Sequence, residues 1–305
     1  MSEAILQLDG VTKRYGDHLA VDDVSFEVPD GAVYGLLGPN GAGKSTTIRM
    51  IMRIISMDSG SIKLDGAPVD DDRRRLIGYL PEERGLYRKM KVLEHLVYLG
   101  TLRGVSPGEA KRRASAWLEK LDLGEWAGHK VEDLSKGMQQ KVQFIGTVLH
   151  RPQLLILDEP FSGLDPINSR ELKDLMLAMS RDGVTVVLST HVLPQVDELC
   201  THICLINRAR KILEGPLESI RSDYGGNVWR IHTDLAAEAI AELPGVIATQ
   251  PLGEELLVEL AEDAGPRELM RRLVQRGEVD SFTRFVPDLE NIFIRAVEED
   301  KLGVE

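Results

Sequence analysis

The chain of 305 residues has only two cysteines, Cys200 and Cys204, too few for a disulfide framework. No nearby Cys/His pair completes a zinc set, so both read as buried thiols. Long apolar runs are missing as well. Stretches such as Leu154 to Leu157 and Val184 to Leu188 fall far short of the ~20 residues of a membrane-spanning helix, and the chain is not expected to cross a bilayer. Met1-Ser2-Glu3-Ala4-Ile5 has no basic region ahead of an apolar core, so no secretory signal is expected and a cytoplasmic location is. Excess positive charge is also absent. A net charge of −12 argues against a general nucleic-acid binder, and no nucleic-acid partner is expected. What is present, 43% hydrophobic and 28% charged residues, is ordinary for a folded protein of one large domain or two.

Chemistry begins at Gly38-Pro39-Asn40-Gly41-Ala42-Gly43-Lys44-Ser45-Thr46, which fits the phosphate-cradling pattern G-x-x-x-x-G-K-[ST]. Ala32 to Leu37 reads as a buried strand before it. Ile48, Ile51, Met52 and Ile55 recur at helical spacing after it, so a helix is expected to carry on from Lys44. Glycine lets backbone N–H groups curl round phosphate oxygens, and the helix N-terminus adds partial positive charge. Gly38, Asn40, Gly41, Ala42, Gly43, Lys44, Ser45 and Thr46 are therefore the candidate nucleotide cradle, with Lys44 on the β- and γ-phosphates and Ser45 on Mg²⁺. A second element, Leu154 to Leu157 followed by Asp158-Glu159-Pro160, reads as a buried parallel strand with acids at its carboxyl end. Asp158 is placed facing the metal. Glu159 is the candidate base that orients or deprotonates the attacking water. A third strand, Val184 to Thr190, ends at His191, a candidate partner of the γ-phosphate.

Between these lies Leu134-Ser135-Lys136-Gly137-Met138-Gln139-Gln140. Ser135 reads as the N-cap of a helix through Val142, Ile145 and Leu149, so its hydroxyl, the Gly137 N–H and the helix dipole make one end an anion site. Here the chain resembles the ATP-binding cassette (ABC) family over roughly residues 3–220, with several motifs in the family's order. The resemblance implies that Ser135 and Gly137 contact ATP held by an opposite subunit. It implies that Tyr15 stacks on adenine, that Ser162-Gly163-Leu164-Asp165 communicates across the two sites, and that His191 is the family's switch histidine. The family's usual glycine and glutamine are here Lys136 and Met138, and the glutamine that touches Mg²⁺ is here Glu82, a candidate metal ligand of added negative charge.

Val92, Leu93, Leu96, Val97 and Leu99 supply a helical apolar face, and Ser106-Pro107-Gly108-Glu109 reads as a capping box opening a helix from Ala110 to Leu121. This resembles the family's helical subdomain, about residues 83–150, and makes Arg84-Gly85-Leu86-Tyr87 the candidate edge that docks a membrane partner. After Gly215 the pattern reads as strand Asn227–His232, helix Leu235–Leu243, strands Val246–Gln250 and Glu255–Leu260, helix Pro266–Arg276 and strand Val279–Val286. That is the ferredoxin-like order, followed by a helix from Leu289 to Glu298. Such a tail is similar to that of the drug-resistance and sodium-export branch of the family.

The expected fold class is α/β: a P-loop NTPase of the ABC type at 1–220, with its helical subdomain, plus a small α+β ferredoxin-like domain at 225–305. The expected activity is ATP hydrolysis with ATP and Mg²⁺ as cofactors. The expected partners are a second ATP-binding subunit, as a homodimer, and an integral-membrane permease that exports a drug, ion or lipid-like substrate from the inner face of the membrane. A soluble regulatory cassette shares the site chemistry, though there is no second cassette and no long heptad arm. A small-molecule kinase also uses a P-loop but has no use for the Ser135 segment.

Overall fold

Burial distinguishes two kinds of strand in the computed structural model, which describes residues 4–83 and 85–302. In chain order, β1 (Ala4–Tyr15), β2 (His18–Pro29), β3 (Val33–Leu37) and α1 (Lys44–Ile51) precede β4 (Ser59–Leu64), β5 (Ala67–Pro68) and β6 (Ile77–Leu80). Helices α2 (Val92–Leu102), α3 (Pro107–Lys120) and α4 (Lys136–Val148) then lead to β7 (Leu154–Asp158). α5 (Pro166–Arg181), β8 (Thr185–Thr190), α6 (Leu193–Leu199), β9 (His202–Asn207) and β10 (Arg210–Pro216) follow. These elements form the first of two compact units, which runs to Pro216.

Every residue of β3, β7 and β8 is buried, the mark of strands covered on both faces. They belong to a six-stranded sheet of order β10-β9-β3-β8-β7-β6. All neighbours pair in parallel except β10, which is antiparallel to β9. The loops that leave β3, β8, β7 and β6 therefore emerge side by side at one edge, where open α/β sheets bind ligands. A second sheet of order β2-β1-β4-β5 shares its core with the first. Leu6, Leu8, Phe26 and Val28 pack there with Leu36, Ile48 and Ile51, and full burial of each such side chain contributes about 1.5–3 kcal/mol.

Two local expectations are corrected. α1 stops at Ile51 rather than continuing to Ile55, because Met52 caps it and Arg53 turns into the left-handed region at φ 53. The N–H groups of Arg53 and Ile54 then bond back to Met50 and Arg49 carbonyls and close the end. Ser106 and Pro107 do begin α3, but the capping box does not form. Glu109 instead receives Arg112 at 2.7 Å and Arg113 at 2.6 Å, partners three and four residues along its own helix. Cys200 and Cys204 are free and buried.

The second unit, Leu217 to Glu299, is built from α7 (Leu217–Gly225), β11 (Val228–Thr233), α8 (Ala237–Ala241), β12 (Val246–Leu252), β13 (Glu255–Leu260), α9 (Pro266–Val274), β14 (Val279–Arg284) and α10 (Leu289–Leu302). Its sheet, order β12-β13-β11-β14, is antiparallel throughout. With one helix after β11 and one after β13, this is the ferredoxin-like arrangement. Ile231, Ile240, Val258, Leu260, Leu269 and Leu273 form its own core. α8 is shorter than Leu235–Leu243 for two local reasons. Thr233 Oγ1 accepts the Leu235 N–H at 3.3 Å and holds a turn there, and Pro244 disfavours helical geometry in the residue before it.

Candidate functional site

Lys44 opens α1 yet is only 6% exposed. Its ammonium donates to the carbonyl oxygens of Gly38 at 2.7 Å and Pro39 at 3.2 Å, so the loop wraps the side chain. Burial pushes the Lys44 pKa below the ordinary lysine value, and the nearby carboxylates of Glu159, Asp158 and Glu82 oppose that shift. Gly38 is required by close approach: at φ 151, an added Cβ would lie 2.1 Å from the Ile206 carbonyl oxygen.

Asp158, the last residue of β7, is 2% exposed. Two hydroxyls address its Oδ1: Ser45 Oγ donates at 3.3 Å and Ser189 Oγ donates from β8. Glu159 follows in the left-handed region at φ 47, a conformation that costs of order 1–3 kcal/mol in a non-glycine residue. Its N–H holds that turn by donating to the Ser189 carbonyl at 3.1 Å. The result aims the side chain at the next strand's loop, where Glu159 Oε1 lies 2.7 Å from His191 Nδ1. Asn40, Gly41, Ala42, Gly43, Lys44, Ser45 and Thr46 line one cleft of about 490 Å³ together with Glu82, Glu159 and His191. That volume lies within the ~300–1,000 Å³ typical of small-molecule sites.

Five expected residues do not line this cleft: Gly38 and Asp158, which lie buried behind it, and Tyr15, Ser135 and Gly137. Tyr15 is 49% exposed and pairs across the β1–β2 turn with His18, which does line it. Ser135 caps α4, its Oγ accepting the Met138 N–H at 3.2 Å. Gly137 is buried, and a Cβ there would lie 2.5 Å from Asn168 Nδ2. Asn168 is in turn fixed by Asp165, which caps α5 by accepting the N–H groups of Ile167 at 3.0 Å and Asn168 at 3.1 Å. Of the candidate docking edge, Arg84 lies outside the described residues, Leu86 is half-buried and Tyr87 is exposed. The Tyr87 ring packs edge-on against Tyr98, with centroids 5.6 Å apart.

Sequence reasoning gave no role to Ser189, Gln140 or Gln143. The Gln140 amide donates to the Pro160 carbonyl at 3.0 Å, and that of Gln143 donates to Pro81 at 3.2 Å and Glu83 at 3.4 Å. The spacing of Gln140 and Gln143 within Gln139-Gln140-Lys141-Val142-Gln143, three residues apart and so on one helix face, was the available signal.

The cleft fits a nucleoside triphosphate: a glycine-rich loop and buried lysine at a helix N-terminus form an anion cradle. A hydroxyl and a carboxylate oxygen on Ser45 and Asp158 are hard oxygen donors of the kind a divalent cation takes alongside water and phosphate. Among the described residues, no three His, Cys, Asp or Glu side chains form a cage for a metal by themselves.

Comparison with known proteins agrees with this geometry. The ABC transporter family profile matches residues 21–162, and the profile of the C-terminal domain of DrrA1-3-like ATP-binding proteins matches residues 215–297. The ABC transporter ATP-binding protein YhaQ of Bacillus subtilis (strain 168) is 41% identical over 96% of this chain and 98% of its own length. The Nod factor export ATP-binding protein I of Cupriavidus metallidurans (strain ATCC 43123 / DSM 2839 / NBRC 102507 / CH34) is 35% identical, covering 96% of this chain and 97% of its own. Among solved structures, the dimeric post-hydrolysis state of the cassette MJ0796 bound to ADP and Pi superposes with a TM-score of 0.63 and 25% identity. That match covers 70% of this chain and 98% of the other. The chain belongs to the ABC transporter family as an ATP-binding, ATP-hydrolysing subunit, with the C-terminal domain of its drug-resistance and export branch.

Proposed function

We propose that two copies of this chain dimerise around two ATP molecules and drive a separate integral-membrane permease, in the export direction. The observation that carries this reading is the place of Ser135 and Gly137. The N-terminal end of α4 has the chemistry of a phosphate site, yet it lies outside the cleft that holds Lys44. An anion site unused by its own subunit suits the ATP of a second copy, and the dimeric cassette among the structural relatives supports that arrangement.

Within each site, Tyr15 stacks on adenine, the loop from Gly38 to Thr46 holds the phosphates, and Lys44 sits against the β- and γ-phosphates. Ser45, Asp158 and Glu82 would hold Mg²⁺, which would offset negative charge on the phosphoryl oxygens. Glu159 orients the attacking water and accepts its proton. His191, in contact with Glu159, fixes that carboxylate and reaches the γ-phosphate. Residues 1–220 form the ATPase domain, with a helical subdomain at about 83–150, and 225–305 an accessory domain.

Coupling to a permease is supported by a face where the C-terminal end of α2 meets the segments after α1 and before β6. On a chain of net charge −12, Arg74, Arg75 and Arg103 gather with the exposed Ile54 and Leu102 around a cleft of about 420 Å³ that Asp71 also lines. Arg74 pairs with Asp71 at 3.5 Å and Arg75 with Asp72 at 3.8 Å, which leaves an excess of positive charge at Arg103. This face suits an amphipathic, acidic segment of a membrane partner, which would hold the chain at the inner face of the membrane. Among the described residues, no helix is long and apolar enough to cross the membrane. Purification of the tagged chain from detergent-solubilised membranes tests the coupling. Recovery of a polytopic membrane protein is expected, and recovery of soluble partners alone would contradict it.

A further inference from the structure

α4 does more than present Ser135. Gln140 and Gln143 lie three residues apart on its buried face, 6% and 7% exposed. Gln140 is tied to the carbonyl of Pro160, directly after Glu159. Gln143 is tied to the carbonyls of Pro81 and Glu83, the two residues that flank Glu82. One helix thus holds both acid-bearing loops of its own subunit while its N-terminal end carries Ser135 and Gly137.

The chemistry of Gln143 argues against simple packing. Its Oε1 is buried without a hydrogen-bond partner among the described residues, and a stranded acceptor is unfavourable in a core. An unbranched apolar side chain would fill the same space without that cost. What the amide adds is its donor group, which bridges the carbonyls on either side of Glu82. Glu82 itself is exposed on a bend directly after Pro81.

We propose that Gln143 is a positioning residue that holds the Glu82 turn in the register needed for hydrolysis and makes α4 a strut between that turn and the Ser135 end. The proposal rests on the reading of Glu82 as a metal-side carboxylate. The test is a double-mutant cycle on the full chain, with kcat, the KM for ATP and the half-saturating Mg²⁺ concentration measured for Gln143→Met, Glu82→Gln and the pair. Gln143→Met is expected to lower kcat about tenfold and leave the KM for ATP within about twofold. In the Glu82→Gln background it should cause no further loss. Gln140→Met is the control, since it acts on the Pro160 loop and its effect should add to that of Glu82→Gln.

An additive loss for the Gln143 and Glu82 pair overturns the proposal, because the residue would then act elsewhere. So does a wild-type kcat for Gln143→Met, or a slowed Gln143→Met beside an unimpaired Glu82→Gln. If Gln143→Met fails to fold, Gln143→Asn keeps an amide that is too short to reach both carbonyls and enters the same cycle. Failure of the dimer reading is seen separately, in nucleotide-dependent association, which this cycle does not measure.

Discussion

In the first unit β3, β7 and β8 are buried at every position, whereas β12 of the second unit has no fully buried residue and β11 has one. The former strands run parallel and end together; the latter pair antiparallel and reverse at each turn. Parallel strands gather their carboxyl ends at one edge, so residues distant in sequence meet there: Lys44, Asp158, Glu159 and His191. The antiparallel sheet of the second unit disperses its turns, and Arg230 pairs with Glu255 across neighbouring strands at 3.5 Å. The placing of the candidate chemistry in this chain follows from strand direction.

That contrast can be broken by mutation. The largest effect is expected at Lys44→Ala, which should lower ATP hydrolysis by roughly 10²–10³-fold, as loss of a charged transition-state donor does. The second unit should melt as before in differential scanning calorimetry. Cavity substitutions come next. Ile156→Ala in β7 and Ile231→Ala in β11 both remove fully buried groups and should each cost about 2–5 kcal/mol in denaturant titration. Only the former should also slow turnover; a matching loss from Ile231→Ala would tie the two units together functionally.

A smaller effect separates the units by pH. Burial pushes His95, and likewise His150, from 6.5 down to about 4. A depressed histidine is neutral in the folded state, so its stabilising effect is complete above pH 6.5 and fades as pH falls from 6.5 towards 4. At pH 5 the loss at His95 should be roughly 1–2 kcal/mol. His95→Leu should therefore flatten the pH dependence of Tm between pH 7 and 5, and an unchanged slope would remove His95 from the account. The smallest effect is expected at Ser135→Ala, which removes the α4 cap at a cost of about 1 kcal/mol. Hydrolysis should then require a higher protein concentration, measured as the concentration of half-maximal specific activity.

The cradle and both acids were legible because their chemistry is local: a glycine loop needs its glycines in sequence, and Asp158-Glu159 directly follows four apolar residues. The ferredoxin-like order was legible because β13 alternates, with Val258 and Leu260 buried about an exposed Glu259. Features set by other segments were not. The strained turn at Glu159 depends on Ser189 from the next strand, and the tie from Gln143 depends on a loop 60 residues away or more. The failed cap at Ser106 has a similar cause, since Glu109 had better partners in two arginines. Periodicity through Ile55 suggested a longer helix because apolar spacing does not register a left-handed residue such as Arg53.

The central claim is a site completed by a second copy and fired by Glu159. Light scattering of Glu159→Gln with and without Mg-ATP, beside phosphate release by the wild type, tests it most directly. The account predicts a monomer that becomes a dimer with Mg-ATP, no release by Glu159→Gln and steady release by the wild type. Wild-type hydrolysis by a Glu159→Gln protein that stays monomeric with Mg-ATP would contradict it.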